Sequence, residues 1–188
     1  MIAPSPTLQI KTTRLLLRRI GDDDVDAHVD LTNDETLARN ASRIPFPYRR
    51  EDALMLLAEK SAGWKAGLEF AFGGFDEDRL IGHAGLRKLP AGWSLGYDVH
   101  RDWRGRGFAV ELGRAVCAFG FRILGADELI AGCFVDNPAS QTVLDRIGFR
   151  KTGTVDLTPS KGRGGSVECL NYVLNKEAFD SVGVTIAE

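Results

Sequence analysis

The sequence predicts a mixed α/β fold: a single domain on one central, twisted, mostly antiparallel sheet of about seven strands, flanked by about four helices. Three observations carry this prediction. Helical and strand periods alternate strictly only in the second half of the chain, so the sheet combines parallel with antiparallel pairs. The first half instead sets two helices together and then three strands in a row, the first two as a hairpin. With 188 residues, 44% of them hydrophobic, the chain has the length of one domain and the apolar material for a sizeable core. Residues 1–7 and 178–188 fall outside the pattern and read as flexible tails.

"LQIKTTRLLLRRI" (Leu8 to Ile20) reads as the first strand, with a polar break at Lys11 to Thr13. The acidic run Asp22 to Asp24 suits the positive end of a helix dipole and opens the first helix. Carboxylates at neighbouring helical positions do not converge, so the run does not read as a metal site. The proline-punctuated loop "RIPFPYRRED" leads into an amphipathic helix, "EDALMLLAEKSAGWKAG", which Gly67 stops. "LEFAFGGF" and "RLIGHAGLRKL", joined by "DED", form a hairpin, and "GWSLGYDV" is the next strand, ending at Val99. From Gly107 to Leu124, Phe108, Leu112, Ala115, Val116, Phe119 and Ile123 fall on one helical stripe, and Gly125 ends that helix. "ELIAGCFV" is a buried strand and "NPASQTVLDRIG" a short helix. "FRKTGTVDL" and "SVECLNYVLN" close the sheet around the loop "TPSKGRGG".

The net charge of −2 supplies no global basic field, so nucleic acid is not expected as a partner and any affinity for anions is local. No apolar run reaches the length of a bilayer span, and "MIAPSPTLQIKTT" lacks the basic and apolar regions of a signal peptide, so no membrane partner is expected. Cys117, Cys133 and Cys169 are odd in number and unpaired in spacing. They argue against a disulfide framework or a zinc site and for buried free thiols in a cytoplasmic protein.

Two stretches carry chemistry. In "RDWRGRGFAVEL" a strand ends at Val99 and a helix begins near Arg106, with Gly105 and Gly107 between arginines. Free N–H groups at a helix start, joined to the helix dipole, make an anion site, and glycines let backbone approach the anion. Arg104 and Arg106 add positive charge, and phosphate or pyrophosphate is the fitting ligand. The pattern is neither G-x-x-x-x-G-K-[ST] nor G-x-G-x-x-G, because the third position of the latter is Val110. A tight turn with solvated arginines is the plainer alternative. In "DNPASQTVLDRIGF", Asn137 is an N-cap by type, Pro138 fits the first helical position and Gly148 the position past the end. Ser140 precedes Val143 and Leu144 by three and four residues and shares their inward stripe. Its hydroxyl needs a partner, either a carbonyl one turn back or a ligand between the strands.

The pattern R-x-x-G-x-A at Arg104, Gly107 and Ala109, after a strand and opening a helix, resembles the acetyl-CoA motif of the GNAT superfamily of N-acetyltransferases. Asn137, Ser140 and "VLDRIGF" resemble the second half of the same signature, and the element order is similar over nearly the whole chain. "TTRLLLRR", "PFPYRREDA" and "LGYDV" resemble the branch that contains the ribosomal-protein-alanine N-acetyltransferases.

The resemblance implies a sheet splayed in the middle, with the pantetheine arm of acetyl-CoA in the gap. It places the backbone of Tyr97, Asp98 and Val99 on the pantetheine and acetyl carbonyl. The N–H groups of Gly105, Arg106, Gly107, Phe108 and Ala109 then lie on the pyrophosphate, with Arg104 beside it and Asn137 and Ser140 near the thioester. The expected reaction is direct attack of a primary amine on the thioester. Relatives often use a tyrosine as general acid; the region after Asn137 holds none, so Ser140 takes that role. Asp98 is the candidate base, a departure from the aromatic common there in the branch, with Glu69 and His83 as alternatives. A catalytic role for a lone His28 or His100, or a covalent acetyl-Cys133, is not expected. The acceptor, a peptide N-terminus or a small-molecule amine, is expected between residues 33–50 and 158–166, with Phe46, Tyr48 and Trp64 as apolar walls. Lys161 and Arg163 are expected either in solvent on a mobile loop or gripping an acidic acceptor or CoA. The rival reading is an inactive acyl-CoA sensor. The resemblance suggests a monomer or a homodimer.

Overall fold

The computed structural model describes residues 4–180 and 183–187. They form one mixed sheet of nine strands, in the order β7-β8-β6-β5-β4-β3-β2-β1-β9, with five α-helices. The strands are β1 (Gln9–Lys11), β2 (Leu16–Arg18), β3 (Glu69–Asp76), β4 (Arg79–Leu89), β5 (Gly92–Val99), β6 (Glu128–Phe134), β7 (Arg150–Ser160), β8 (Gly165–Asn175) and β9 (Thr185–Ala187). The helices are α1 (Val25–Thr32), α2 (Glu35–Arg39), α3 (Arg50–Lys65), α4 (Phe108–Arg122) and α5 (Pro138–Ile147).

Three expectations need correction. The first strand is two strands, because the polar break is a tight turn in which Thr12 N donates to Leu15 O (2.9 Å) and Leu15 N to Thr12 Oγ1 (3.0 Å). Residues 35–39 add a short helix whose N-cap, Asp34, accepts from Leu37 N. The C-terminal segment is not a free tail. Phe179 packs on Phe121, and β9 pairs with β1, covering what would otherwise be a bare sheet edge. Of residues 1–7, Pro4 O is held by the Trp64 indole N–H (2.9 Å). Positions 1–3, 181, 182 and 188 of the expected tails lie outside the described residues.

Helices cover both faces. Leu112 of α4 fills the space above Gly74 and Gly82, while His28 of α1 meets His83, the next residue along β4 and so on the opposite face. Phe70, Phe72, Phe119 and Trp64 meet edge to face at 5.1–5.4 Å in the main core.

One feature of the sheet positions everything that follows. β5 and β6 form its one parallel pair, and they pair over only three positions, Trp93–Leu95 against Leu129–Ala131. Beyond Leu95 the strands part. Gly96–Val99 stay paired with β4 alone, and Gly132–Phe134 with β8 alone.

Candidate active site

The parting of β5 and β6 opens a groove of about 1080 Å³, at the upper end for small-molecule sites. Gly96, Tyr97, Asp98 and Val99 line one wall, and Gly132 and Phe134 the other. The start of α4 closes one end, and Asn137 and Ser140 of α5 border it.

At the α4 end, Gly105 and Gly107 hold φ of 78° and 81°, the left-handed region where other L-residues are strained. Gly107 is the N-cap, and the first bond closing a helical turn is Glu111 N to Gly107 O (3.2 Å). The N–H groups of Phe108, Ala109 and Val110 therefore have no intrahelical acceptor. Arg14 braces this turn: its guanidinium binds Glu111 (2.7 Å) and Arg106 O (3.0 Å) and lies over the Phe108 ring (4.0 Å). Arg104 borders the groove, held by Val99 O (3.2 Å) and Asp34 (3.1 Å). Arg106 turns instead over the Trp103 ring at 4.9 Å, so its side chain does not line the groove.

At the α5 end, Asn137 Oδ1 accepts from Ser140 N (3.1 Å), the cap expected from the sequence. The Ser140 hydroxyl is not bonded one turn back; it lies 2.8 Å from the Tyr97 hydroxyl, which also donates to Ser140 O (3.1 Å). Burial pushes the Tyr97 phenol well up, so it stays protonated. A tyrosine hydroxyl is thus present beside Ser140 after all, delivered by β5. The strand period, which points Tyr97 and Asp98 to opposite faces, is the signal that could have found it.

On the other face, Asp98 Oδ1 lies 2.7 Å from His83 Nδ1, His83 Nε2 lies 2.9 Å from His28 Nδ1, and His28 Nε2 lies 3.2 Å from the Tyr48 hydroxyl. Burial favours the neutral Asp98 acid, but His83 and Lys60 outweigh it and hold the carboxyl below its ordinary range. Burial, with the charges of His83 and Lys60, drives His28 down to about 3, so its ring is neutral near pH 7. Glu69 and His83 also line the groove, and Glu69 is paired with Arg43 at 2.7 Å. Two of the three histidines are therefore joined to a groove carboxylate, a link 55 residues long that sequence spacing does not reveal. His100 sits apart, against Asp30 (3.2 Å).

The expected aromatic wall does not border the groove. Tyr48 is buried with Val25 and Ala53, Trp64 is buried against Phe70 and Phe72, and Phe46 is exposed in its loop. Thr36, Leu37, residues 40–44 and Thr158 do reach it. The loop with Lys161 and Arg163 is docked rather than free. Lys161 N donates to Ser42 O (3.0 Å), and Arg163 donates to Arg39 O (2.6 Å) and forms a two-point pair with Asp136 (2.7 and 2.9 Å). Gly162 permits this approach, since a Cβ there would lie 2.6 Å from the Ala38 carbonyl carbon. Cys133 is buried and its thiol pushed up by that burial, which disfavours a thiolate.

Residues 14–150 match the family model described as an acetyltransferase (GNAT) domain. The chain is 31% identical over 155 residues to the uncharacterized N-acetyltransferase YoaA of Bacillus subtilis, covering 78% of this chain and 85% of that protein. It is 27% identical over 165 residues to the [ribosomal protein uS5]-alanine N-acetyltransferase of Escherichia coli, covering 79% and 81%. Its fold is similar to that of Mycobacterium smegmatis RimJ in complex with CoA-disulfide, with a TM-score of 0.77, 17% identity and coverage of 94% and 91%.

Proposed function

The chain belongs to the GNAT acetyltransferase family and is an N-acetyltransferase that uses acetyl-CoA; on that premise we propose that the β5–β6 groove seats the cofactor and that the acceptor is a primary α-amine approaching from the Asp98 side. The observation that carries this reading is the end of β5–β6 pairing at Leu95 and Ala131, which leaves strand backbone open in line with the free N–H groups of α4.

The residues present fit the cofactor. The open edge of Tyr97 and Val99 matches the amides of a pantetheine arm, and the N–H of Val99, which the β4–β5 ladder turns away from β4, suits the acetyl carbonyl; the N–H of Asp98 is turned onto β4. The turn from Gly105 through Ala109 matches a pyrophosphate, with Arg104 adding charge and Arg106 only its backbone. Asn137 and Ser140 border the thiol end. Acetyl-CoA supplies the activated acetyl thioester. Asp98 takes the proton that the acceptor ammonium must lose; its Oδ2 carries no hydrogen bond among the described residues. Ser140 Oγ holds a proton at the thiol end, with the Tyr97 hydroxyl beside it.

The acceptor follows from proton affinity. A carboxylate held low is a weak base, suited to an α-amine near pKa 8 rather than a lysine side chain near 10.4. The name of the Escherichia coli relative gives an alanine of a ribosomal protein as what it N-acetylates, which supports an α-amine, either on a peptide or on a small molecule. Three buried free cysteines support a reducing, cytoplasmic setting. The test is thiol release from acetyl-CoA against N-terminal peptides, small α-amines and lysine side chains. Turnover with α-amines is expected; none with any of them, despite CoA binding, overturns the reading.

A further inference from the structure

We infer that the acceptor carries a carboxylate as well as its amine, and that Arg87 of β4 grips this acid and so selects the acceptor. The inference rests on the reading of Asp98 as the group that receives the amine.

The β-ladder puts Arg87 and Asp98 on one face of the sheet. His83 pairs with Asp98, Gly85 with Gly96 and Arg87 with Ser94, in unbroken register. Residues two and four positions apart on a strand point the same way. Two polar rows therefore border the groove, His83–Asp98 at one end and Arg87–Ser94 at the other. β3 adds Glu69 to the second row, opposite Arg87. The row between is Ala71, Gly85 and Gly96, and a Cβ on Gly96 would meet nothing within 4 Å. At about 3.4 Å per residue, the polar rows lie about 14 Å apart along the strands. A bare floor between a carboxylate and a guanidinium suits an extended molecule with a cation at one end and an anion further on. A peptide with its amine at Asp98 brings the side chain of its third residue toward Arg87, and a dipeptide brings its terminal carboxylate.

The charges on this face leave Arg87 over. Glu69 is bound by Arg43 at 2.7 Å, and Asp98 lies 2.7 Å from His83 and faces Lys60. Arg87 has no hydrogen bond or ion pair among the described residues, although Glu69 stands opposite it. Burial and the charge of Arg43 push its guanidinium below its ordinary range despite Glu69. A carboxylate answers such a group with two parallel hydrogen bonds, and the Ser94 hydroxyl, unbonded among the described residues, offers one more donor. A doubly charged phosphate would meet stronger repulsion from Glu69 and Asp98, so a single carboxylate is the fitting anion. Arg163, the other arginine expected to hold an acid, is paired with Asp136.

The experiment compares two matched pairs of acceptors on the full chain, wild type, Arg87→Gln and Arg87→Lys. One pair is Ala-Ala-Glu-amide and Ala-Ala-Gln-amide, which offers the acid on a peptide side chain. The other is Ala-Ala and Ala-Ala-amide, which offers it as the terminal carboxylate of a small molecule. Acetyl transfer gives kcat/KM for all four, and calorimetry gives their Kd on the CoA-loaded protein. The wild type should favour the acid of at least one pair about tenfold in both, the scale of one charge-assisted hydrogen bond. Arg87→Gln should bring that ratio to about one, and Arg87→Lys should keep a smaller preference, since an ammonium lacks the planar fork. Each ratio compares two acceptors on one protein, so a general loss of activity cancels. A wild type without preference for either acid, non-binding included, overturns the inference, as does a preference that survives Arg87→Gln. If Arg87→Gln fails to fold, an undiminished preference in Arg87→Lys overturns it instead. If no acceptor is turned over, the proposed function falls and the Kd ratios decide the role of Arg87. The expected ratios together with full kcat in Asp98→Asn would support Arg87 while removing the role given to Asp98.

Discussion

Gly162→Ala tests whether the docked β7–β8 hairpin forms the acceptor side of the groove. A Cβ at this position would lie 2.6 Å from the Ala38 carbonyl carbon and 3.1 Å from its Cβ. Comfortable carbon contacts are about 3.5–4.0 Å, so the hairpin tip must retreat by about 1 Å. That displacement takes Lys161 N from 3.0 Å to beyond hydrogen-bond range of Ser42 O, and Ser160 Oγ from 3.2 Å to beyond range of Ala41 O. Two hydrogen bonds at about 1 kcal/mol each give a loss of about 2 kcal/mol, or a fall in Tm of about 4–8 °C for a chain of this size. On the proposed reading, Thr36, Leu37, residues 40–44 and Thr158 line the acceptor side of the groove, and the Gly105–Ala109 turn holds the pyrophosphate. The acceptor KM should therefore rise several-fold while the Kd for CoA stays put. Calorimetry or a thermal shift reads the first quantity, acceptor titration at saturating acetyl-CoA the second, and equilibrium binding the third. An unchanged Tm with an unchanged acceptor KM refutes the argument, as does a loss confined to CoA binding.

Asp98→Asn should lower kcat by about 10²- to 10⁴-fold with CoA binding intact, measured by steady-state kinetics beside equilibrium binding. CoA at about 100 times its Kd should add about 2.7 kcal/mol of stability, and a thermal scan with no upward shift counts against the groove as its seat. Arg14→Ala removes the brace on Arg106 O, the Phe108 ring and Glu111, so CoA affinity should fall although Arg14 lies outside the groove wall; isothermal titration reads this. The hydrogen bond from Arg18 holds the Asp24 carboxyl below its ordinary range despite burial. That contribution is complete above the unfolded value near 3.8 and is lost as pH falls through the lowered folded value. Asp24→Asn should therefore be less stable than wild type at pH 6, and denaturant titrations should show the gap closing in acid.

What the sequence made legible follows the reach of local rules. The strand at Gly92–Val99, the cap at Asn137, the turn at Gly105 and Gly107 and the inward placement of Ser140 depend on residues a few positions apart, and periodicity reads those. β9 escaped because three residues with one half-buried side chain carry no period, and it exists by virtue of β1's open edge. The aromatic wall failed for a related reason. An apolar ring in a loop satisfies a core as well as a pocket, and only packing decides: Trp64 went to Phe70 and Phe72, and Tyr48 went beneath His28. Arg163 read as a solvated or ligand-gripping charge because Asp136 is 27 residues away in sequence.

The alternation along β5 has a further consequence for the proposed chemistry. Successive residues on a strand point to opposite faces, so Tyr97 turns to α5 while Asp98 turns to His83 and α1. On the proposed reading, the group that takes the amine proton and the hydroxyls at the thiol end are neighbours in sequence but separated by the sheet itself. A proton taken up at Asp98 has no hydrogen-bonded route among the described residues to Ser140, since Asp98 connects toward Tyr48, and Ser140 toward Tyr97 and Cys133. The two sites should then fail independently. Asp98→Asn and Ser140→Ala should give additive losses in log kcat, within about 0.5 kcal/mol. A double mutant no slower than Asp98→Asn alone would mean that the two groups act as one unit, and the division of the groove into an amine face and a thiol face would fall.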